Sequence, residues 1–358
     1  QAEDGIRDLV RSRGLGDVYK RQLKDGGLDP GYMIGGIPVN LGRGACFTDS
    51  EFNVLEGAEY DTAFFDKRSK FLHYLPELAV INNIEFDHAD IYGSIEEIKR
   101  TFRRLLNIVP RGGLALVNGD DRNVMEVIEQ CPCPIRTIGF GDGCEWKIEN
   151  PIYKREESSF SLAGEEYLIP MVGEFNVRNA AMAAAGGLFA GLGPDQIREA
   201  FLSFEGIARR QQLRGEGRGV RVIDDFAHHP TAVRMVIEAF RQRYPESRIW
   251  AVFEPRSNTT RRNIFQKELA ESLATADYAV VPAIADPGKV AECERLDPEQ
   301  LVRDVVSLGA DAAYLPTVEE IAKHIAARAR KDDVVAVLSN GGFGNLHELL
   351  LSMLDEVH

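Results

Sequence analysis

The chain is poor in cysteine. Its five cysteines, Cys46, Cys131, Cys133, Cys144 and Cys293, form no CxxC pair and are odd in number. That excludes a disulfide framework and suits a reducing, cytoplasmic compartment. Long apolar runs are missing as well: none approaches the roughly 20 residues that a bilayer-spanning helix needs, and no signal peptide is visible. Positive charge is in deficit, with 42 Lys and Arg against 56 Asp and Glu, a net charge of −14 and a pI near 5.1. This balance argues against a protein that wraps nucleic acid or lies on anionic lipid. An anionic substrate would have to be met by local basic residues or metal ions.

What is present is a β/α alternation over a length, 358 residues, that suits two domains. Residues 1–22, QAEDGIRDLVRSRGLGDVYKRQ, have weak periodicity and look like translated sequencing-adapter read-through, so the fold is read from Leu23 onward as though 1–22 were a non-native tail. From there FNVLEG (52–57), LAVINNI (78–84), GLALVNGDD (113–121) and IRTIGFG (135–141) read as strands. A helix between the second and third opens at Ser94 with Glu97 three residues on, the pattern of a capping box. Short alternating runs over 144–173 predict an antiparallel excursion, followed by an Ala-rich helix from about Asn176 to Ala190 and another near Pro194. The Gly- and Arg-dense segment 204–219 is the expected boundary, giving domains at 23–207 and 208–358.

The second half alternates cleanly. VRVIDDFA, RIWAVFEP, YAVVPAI, AAYLP and DVVAVLSNGG predict the strands of a doubly wound parallel sheet. After Pro230, the residues Val233, Val236, Ile237 and Phe240 fall at i, i+3, i+4 and i+7, one face of a helix that proline can begin.

Ligands of such sheets bind beyond the carboxyl ends of the strands, so polar residues there carry chemical information. One strand ends in Asn83, Glu85, Asp87, His88 and Asp90, another in Glu56 with Glu59 and Asp61 following. If those strands are neighbours, carboxylate and imidazole converge, a set that suits Mg²⁺ beside phosphate oxygens. The spacing alone reads equally well as a capped turn with a hydrogen-bonded histidine. In the second half, Asp224-Asp225-Phe226-Ala227-His228-His229-Pro230 is a poor chelating pair of histidines and reads as a helix N-terminus, where anions are favoured, or as a simple cap. Arg209-Arg210, Arg214 and Arg256 supply guanidinium for phosphate or carboxylate. Arg261 and Arg262 read as solvated surface. The Gly341-Gly342-Phe343-Gly344 run permits close backbone approach or an ordinary turn.

Six separated motifs carry a resemblance: EGAEYDTAFFDKRSKF (56–71), NNIEFDHADIY (82–92), GEFNVRNAAMAAA (173–185), DDFAHHPTA (224–232), EPRSNT (254–259) and SNGGFG (339–344). In this order they resemble the Mur ligase superfamily, over nearly everything after residue 22. The resemblance implies an α/β fold, a truncated central mononucleotide-binding α/β domain followed by a Rossmann-like doubly wound C-terminal domain. It implies an ATP- and Mg²⁺-dependent amide ligase of peptidoglycan recycling, acting in the bacterial cytoplasm on UDP-N-acetylmuramate and the murein tripeptide L-Ala-γ-D-Glu-meso-diaminopimelate. Such enzymes transfer the γ-phosphoryl of ATP to a carboxylate, and the acyl phosphate is then attacked by an amine. A UDP-N-acetylmuramate–L-alanine ligase is the alternative within the superfamily. A Rossmann dehydrogenase or nucleotide-binding module is the distant one, and DDFAHH stands where its GxGxxG fingerprint should be.

By motif position the resemblance implies that Glu56 and His88 ligate Mg²⁺, with Glu59 and Asp90 in support. Asn176 and Asn179 fall where adenine is contacted, Arg210 at phosphate and Asp225 at ribose. His228, His229, Arg256, Ser257, Asn258, Ser339, Asn340 and Gly341 fall at the substrate peptide. Three departures stand out. No GxxxxGK[ST] phosphate loop occurs, and it and a UDP-gripping domain would be expected upstream of Leu23, so the chain as it stands is expected not to turn over. Phe175 stands where relatives commonly have histidine. Phe102 and Arg103 stand where some carry a carbamylated lysine, so no carbamate is expected.

Overall fold

The computed structural model describes residues 7–10, 15–57, 59, 61–89, 91–129, 131–284 and 290–356, the side chains of 7–10, 15–17, 19, 61 and 356 excepted. The chain divides into two compact units, residues 1–208 and 209–358.

The first unit runs β1 (Arg7–Val10), α1 (Leu15–Asp25), β2 (Gly31–Met33), β3 (Ala45–Cys46), β4 (Asn53–Leu55), the hairpin β5 (Asp61–Ala63) and β6 (Asp66–Ser69), and β7 (Leu78–Ile81). It continues with α2 (Ile95–Ile108), β8 (Leu114–Asn118), α3 (Arg122–Ile128), β9 (Ile135–Gly139) and β10 (Trp146–Lys147). The main sheet has the order β10-β9-β8-β7-β1-β4-β2-β3. All its pairings are parallel except β2 with β3. A second, antiparallel sheet follows, β11 (Glu149–Tyr153), β12 (Ser158–Leu162) and β13 (Glu165–Ile169), then α4 (Glu174–Phe189) and α5 (Pro194–Leu202).

Alternation along the strands explains the two cores. Leu78, Val80 and Leu116 point to one face, under the alanines of α4. Ala79, Ile81, Ala115 and Val117 point to the other, under Ile98, Phe102 and Leu105 of α2. A strand covered on both faces reads as an unbroken apolar run, which is what LAVI is.

Three expectations need correction. Residues 1–22 are expected to stand outside the fold, yet β1 pairs with β4 on one side and β7 on the other, and Val18, Lys20 and Gln22 are buried. Ladder hydrogen bonds come from the backbone, so a segment with little side-chain periodicity can still complete a sheet. The strands of FNVLEG and LAVINNI are therefore not neighbours, since β1 lies between them. The capping box at Ser94 is also absent: the Ser94 side chain makes no cap bond, and the Glu97 carboxylate accepts from Gly93 N at 2.8 Å.

The second unit contains β14 (Gln212–Gly217), β15 (Val220–Asp225), α6 (Pro230–Arg243), β16 (Ile249–Phe253), α7 (Gln266–Leu273) and β17 (Tyr278–Val281). It ends with α8 (Pro298–Ser307), β18 (Asp311–Tyr314), α9 (Val318–Arg328), β19 (Val334–Leu338) and α10 (Leu346–Glu356). The sheet order is β14-β15-β19-β16-β17-β18, parallel throughout except for β14. The expected apolar face of α6 is buried, with Val233, Val236, Ile237 and Phe240 each at most 1% exposed. β19, last in the chain, inserts between β15 and β16, and the carboxyl ends of these three strands are where an open sheet of this kind binds ligands.

Candidate functional site

In the first unit, β4 and β7 leave the sheet on either side of β1. Beyond β4, the Glu56 carboxylate accepts from Gly35 N, and Glu56 N donates to Met33 O at 2.8 Å. A side chain at Gly35 would press on that carboxylate. Burial, reinforced by the Glu56 charge, pushes the Tyr74 hydroxyl above its ordinary value. Glu59 is buried, and its carboxylate pairs with His88 Nε2. The Tyr92 hydroxyl donates to Glu59 O at 2.8 Å and bonds Ser69 Oγ at 2.9 Å, tying the turn to the β5–β6 hairpin.

His88 sits in the left-handed region, with φ of 53°, and its N–H donates to Asp87 Oδ1 at 2.7 Å. A non-glycine residue there is strained, and such strain clusters at functional sites. His88 Nε2 thus meets the Glu59 carboxylate, with Asp87 Oδ2 3.8 Å away. Asp90 lies outside the described residues.

Beyond β7, Asn82 is buried and donates through Nδ2 to Asn179 Oδ1 at 2.6 Å, while its carbonyl accepts from Asn118 Nδ2 at 2.8 Å. Its own Oδ1 is buried with no hydrogen-bond partner. Asn176 turns back on the backbone, donating to Val172 O at 2.8 Å. Asn82 escaped the sequence reading, although strand parity could have found it: it continues the face of Leu78 and Val80, towards α4. Among the described residues no group of three or more His, Cys, Asp and Glu is arranged to hold a metal ion. Mg²⁺ keeps waters and substrate phosphates in its shell and needs only one or two protein carboxylates, so the oxygens of Glu56 and Glu59 with the His88 imidazole still fit it chemically.

In the second unit the two adjacent arginines differ. Arg209, at φ of 61°, turns inward: Nε meets Asp224 Oδ2 at 3.2 Å, and Nη2 donates to Ser339 O at 2.7 Å and Gly341 O at 2.5 Å. Arg210 lies over the Phe226 ring at 4.8 Å, and its Nη1 has no hydrogen-bond partner. Asp225 is buried, with Oδ2 accepting from Gln211 N at 2.9 Å and Oδ1 from Ala227 N at 2.7 Å. These bonds brace the turn before α6. The side chain of His229 does not cap α6 either: it packs edge-on against Phe265. His228 Nδ1 lies 3.0 Å from Phe226 O.

Glu254, at the end of β16, accepts from Ser339 Oγ, and Arg256 reaches back to it at 3.5 Å with half its side chain exposed. Ser257 and Thr260 close a turn on one another, Ser257 N to Thr260 Oγ1 at 3.0 Å and Thr260 N to Ser257 Oγ at 3.1 Å, and Asn258 lies inside it. Asn340 Oδ1 is buried without a hydrogen-bond partner, and Gly341 N donates to Ser339 Oγ at 2.9 Å. Arg256, Ser339 and Gly341 are therefore brought together. The anchoring roles of Arg209 and Glu254 were not read from sequence, because neither a backbone dihedral nor a cross-strand partner has a local signature.

Comparison with known proteins agrees with this architecture. Residues 43–187 match the Mur ligase middle domain, and residues 209–341 match the Mur ligase glutamate ligase domain. The chain is 38% identical over 338 residues to the UDP-N-acetylmuramate–L-alanyl-γ-D-glutamyl-meso-2,6-diaminoheptandioate ligase of Escherichia coli K12, covering 93% of this chain and 71% of that one. It is 31% identical over 341 residues to the UDP-N-acetylmuramate–L-alanine ligase of Geobacter sulfurreducens, covering 93% and 72%. The crystal structure of a murein peptide ligase from Psychrobacter arcticus 273-4 superposes with a TM-score of 0.71 at 28% identity, covering 99% of this chain and 78% of that one. The chain belongs to the Mur ligase family.

Proposed function

We propose that this chain carries the machinery of an ATP-dependent carboxylate–amine ligase that joins UDP-N-acetylmuramate to the tripeptide L-Ala-γ-D-Glu-meso-diaminopimelate in the bacterial cytoplasm. The observation that carries the reading is the Glu59–His88 pair and the neighbouring Glu56 at the carboxyl ends of strands flanking β1. The tripeptide is preferred to free L-alanine because identity to the E. coli enzyme, 38%, exceeds the 31% to the L-alanine ligase.

Bound MgATP supplies the phosphoryl group that makes the sugar's carboxylate open to an amine. Glu56 and His88 would hold the ion, His88 exchanging its Glu59 partner for it. Arg210, whose Nη1 has no hydrogen-bond partner, would meet phosphate oxygens, and a guanidinium aimed at developing charge contributes most where water is excluded. Asn176 and Asn179 would face the adenine and Asp225 the ribose. The Asp225 oxygens accept from Gln211 N and Ala227 N, which would fix the carboxylate in place while leaving each oxygen able to accept again from a ribose hydroxyl. His228, His229, Arg256, Ser257, Asn258, Ser339, Asn340 and Gly341 would form the peptide subsite, where Arg256 can pair with the peptide's carboxylates.

No GxxxxGK[ST] loop occurs in the 358 residues, so the β- and γ-phosphates would lack that backbone cradle and its lysine. The chain as it stands should therefore bind MgATP more weakly than micromolar and not turn over. The test replaces residues 1–22 with the whole of the E. coli relative that precedes its counterpart of Leu23 and measures ADP release with each amine. The chimera should ligate the tripeptide, ignore L-alanine and lose activity on Glu56→Ala. Turnover with L-alanine alone, or activity indifferent to Glu56→Ala, would refute the reading.

A further inference from the structure

Cys131 and Cys133 stand either side of Pro132 in the turn between α3 and β9, with their Sγ atoms 3.2 Å apart. A disulfide bond is roughly 2.05 Å long, so closure asks for a movement of about 1 Å. The backbone presents the two thiols to one another. Cys131 N donates to Ile128 O at 3.0 Å, finishing α3, and the proline ring restricts the residue between. The pair is asymmetric: Cys133 is buried at 6% exposure against the α2–α3 core, while Cys131 is only partly buried. Burial, with the hydrogen bond to Cys131, pushes the Cys133 thiol up to about 12. Cys131 is therefore the sulfur that a solute meets first. The other thiols have different surroundings. Cys46 accepts from Arg43 Nη2 at 3.0 Å, Cys144 lies by Asp120, and Cys293 is exposed.

We propose that Cys131 and Cys133 are a reversible oxidation site that closes to an intramolecular disulfide with a low-molecular-weight disulfide such as oxidised glutathione as the oxidant. The Cys131 thiolate attacks one sulfur of the oxidant, breaking its S–S bond and releasing one glutathione thiolate, which takes up the proton Cys131 lost. Cys133 then gives up its proton, attacks Cys131 Sγ and expels the second glutathione, which takes that proton. Two protein thiols are oxidised and one glutathione disulfide is reduced to two thiols. The bridge pins the end of α3 to the start of β9. The other end of α3 is tied to the chain after β7, through Asn123 Nδ2 to Ile84 O at 2.7 Å.

The test treats the intact chain with oxidised glutathione under native conditions, then unfolds it in urea, alkylates it with N-ethylmaleimide and weighs it. Of the five thiols, three should remain alkylatable, with no retained glutathione and full reversal by dithiothreitol. Cys133→Ser should instead accumulate a glutathione adduct on Cys131, because the resolving sulfur is gone. A variant with Cys46, Cys144 and Cys293 all changed to Ser should fall from two alkylatable thiols to none. Five alkylated thiols after oxidation, a stable adduct on the unaltered chain, or peptide mapping of the bridge to other cysteines would overturn the proposal.

Discussion

Arg209 Nη2 donates to the carbonyl oxygen of Gly341 across 2.5 Å and to that of Ser339 across 2.7 Å, so one guanidinium holds both ends of the turn that leaves β19. Its Nε meanwhile lies 3.2 Å from Asp224 Oδ2. A lysine carries the charge but not the planar fork, and cannot serve three acceptors in these directions. Arg209→Lys should therefore cost about 1–3 kcal/mol, the penalty for leaving buried acceptors unsatisfied. Urea unfolding would read that loss, and faster amide exchange confined to 339–345 would locate it. An unchanged midpoint would mean that the turn is held by other bonds.

Gly341 leaves room for Arg256. A Cβ at this position would collide with the Nε and Cδ atoms of Arg256. Those atoms belong to a long, half-exposed side chain that can swing away, so Gly341→Ala should change the unfolding midpoint little. It should nevertheless weaken tripeptide binding about tenfold in the chimera, because the displaced guanidinium no longer meets a carboxylate. A variant with unaltered KM for the tripeptide would remove Arg256 from the peptide subsite.

How far the sequence was legible follows from burial. β7, β16 and β19 are apolar on both faces and β8 is so up to Asn118, so their identity is written in composition. β2, β3 and the β5–β6 hairpin are only two to four residues long, and the antiparallel strand β14 falls in a Gly- and Arg-dense stretch that reads as linker. β2, β3 and β14 exist because the strand beside each offers free backbone partners, which is tertiary information, whereas β5 and β6 pair only with one another. The same holds for the site. The polar ends of β4 and β7 are visible in the letters, but that the buried Glu59 meets His88 depends on how the chain turns beyond strands that β1 separates. Asn82 was missed because it sits among apolar neighbours and finds its partner, Asn179, 97 residues away.

That Asn82–Asn179 bond yields a paired test. Changing Asn179 alone to Leu strands the buried Asn82 amide and should cost about 1–3 kcal/mol, whereas Asn82→Leu with Asn179→Leu should recover most of it, since removing both partners is nearly neutral. Chemical denaturation of the three variants measures the cycle. If the double variant is instead as unstable as the sum of the singles, the two amides contribute through other partners.

Asp224 predicts the acid limb of stability. It is 1% exposed, and burial opposes its charge, yet His347 Nε2 at 3.5 Å and Arg209 at 3.2 Å outweigh that, with Arg214 a further 3.7 Å neighbour. The net effect holds the carboxyl below its ordinary value of 3.8. A group whose folded value is depressed binds fewer protons in the native state than in the unfolded one, so its contribution is complete above the ordinary value and is lost as pH falls through the depressed one. Asp224→Asn should lower stability at neutral pH and flatten its decline below about pH 4, because the variant has no proton left to take up there. Unfolding free energies from pH 7 down to pH 2 for both proteins would check this. Parallel curves would show that Asp224 is protonated alike in the folded and unfolded chain, and that its neighbours leave its charge unstabilised.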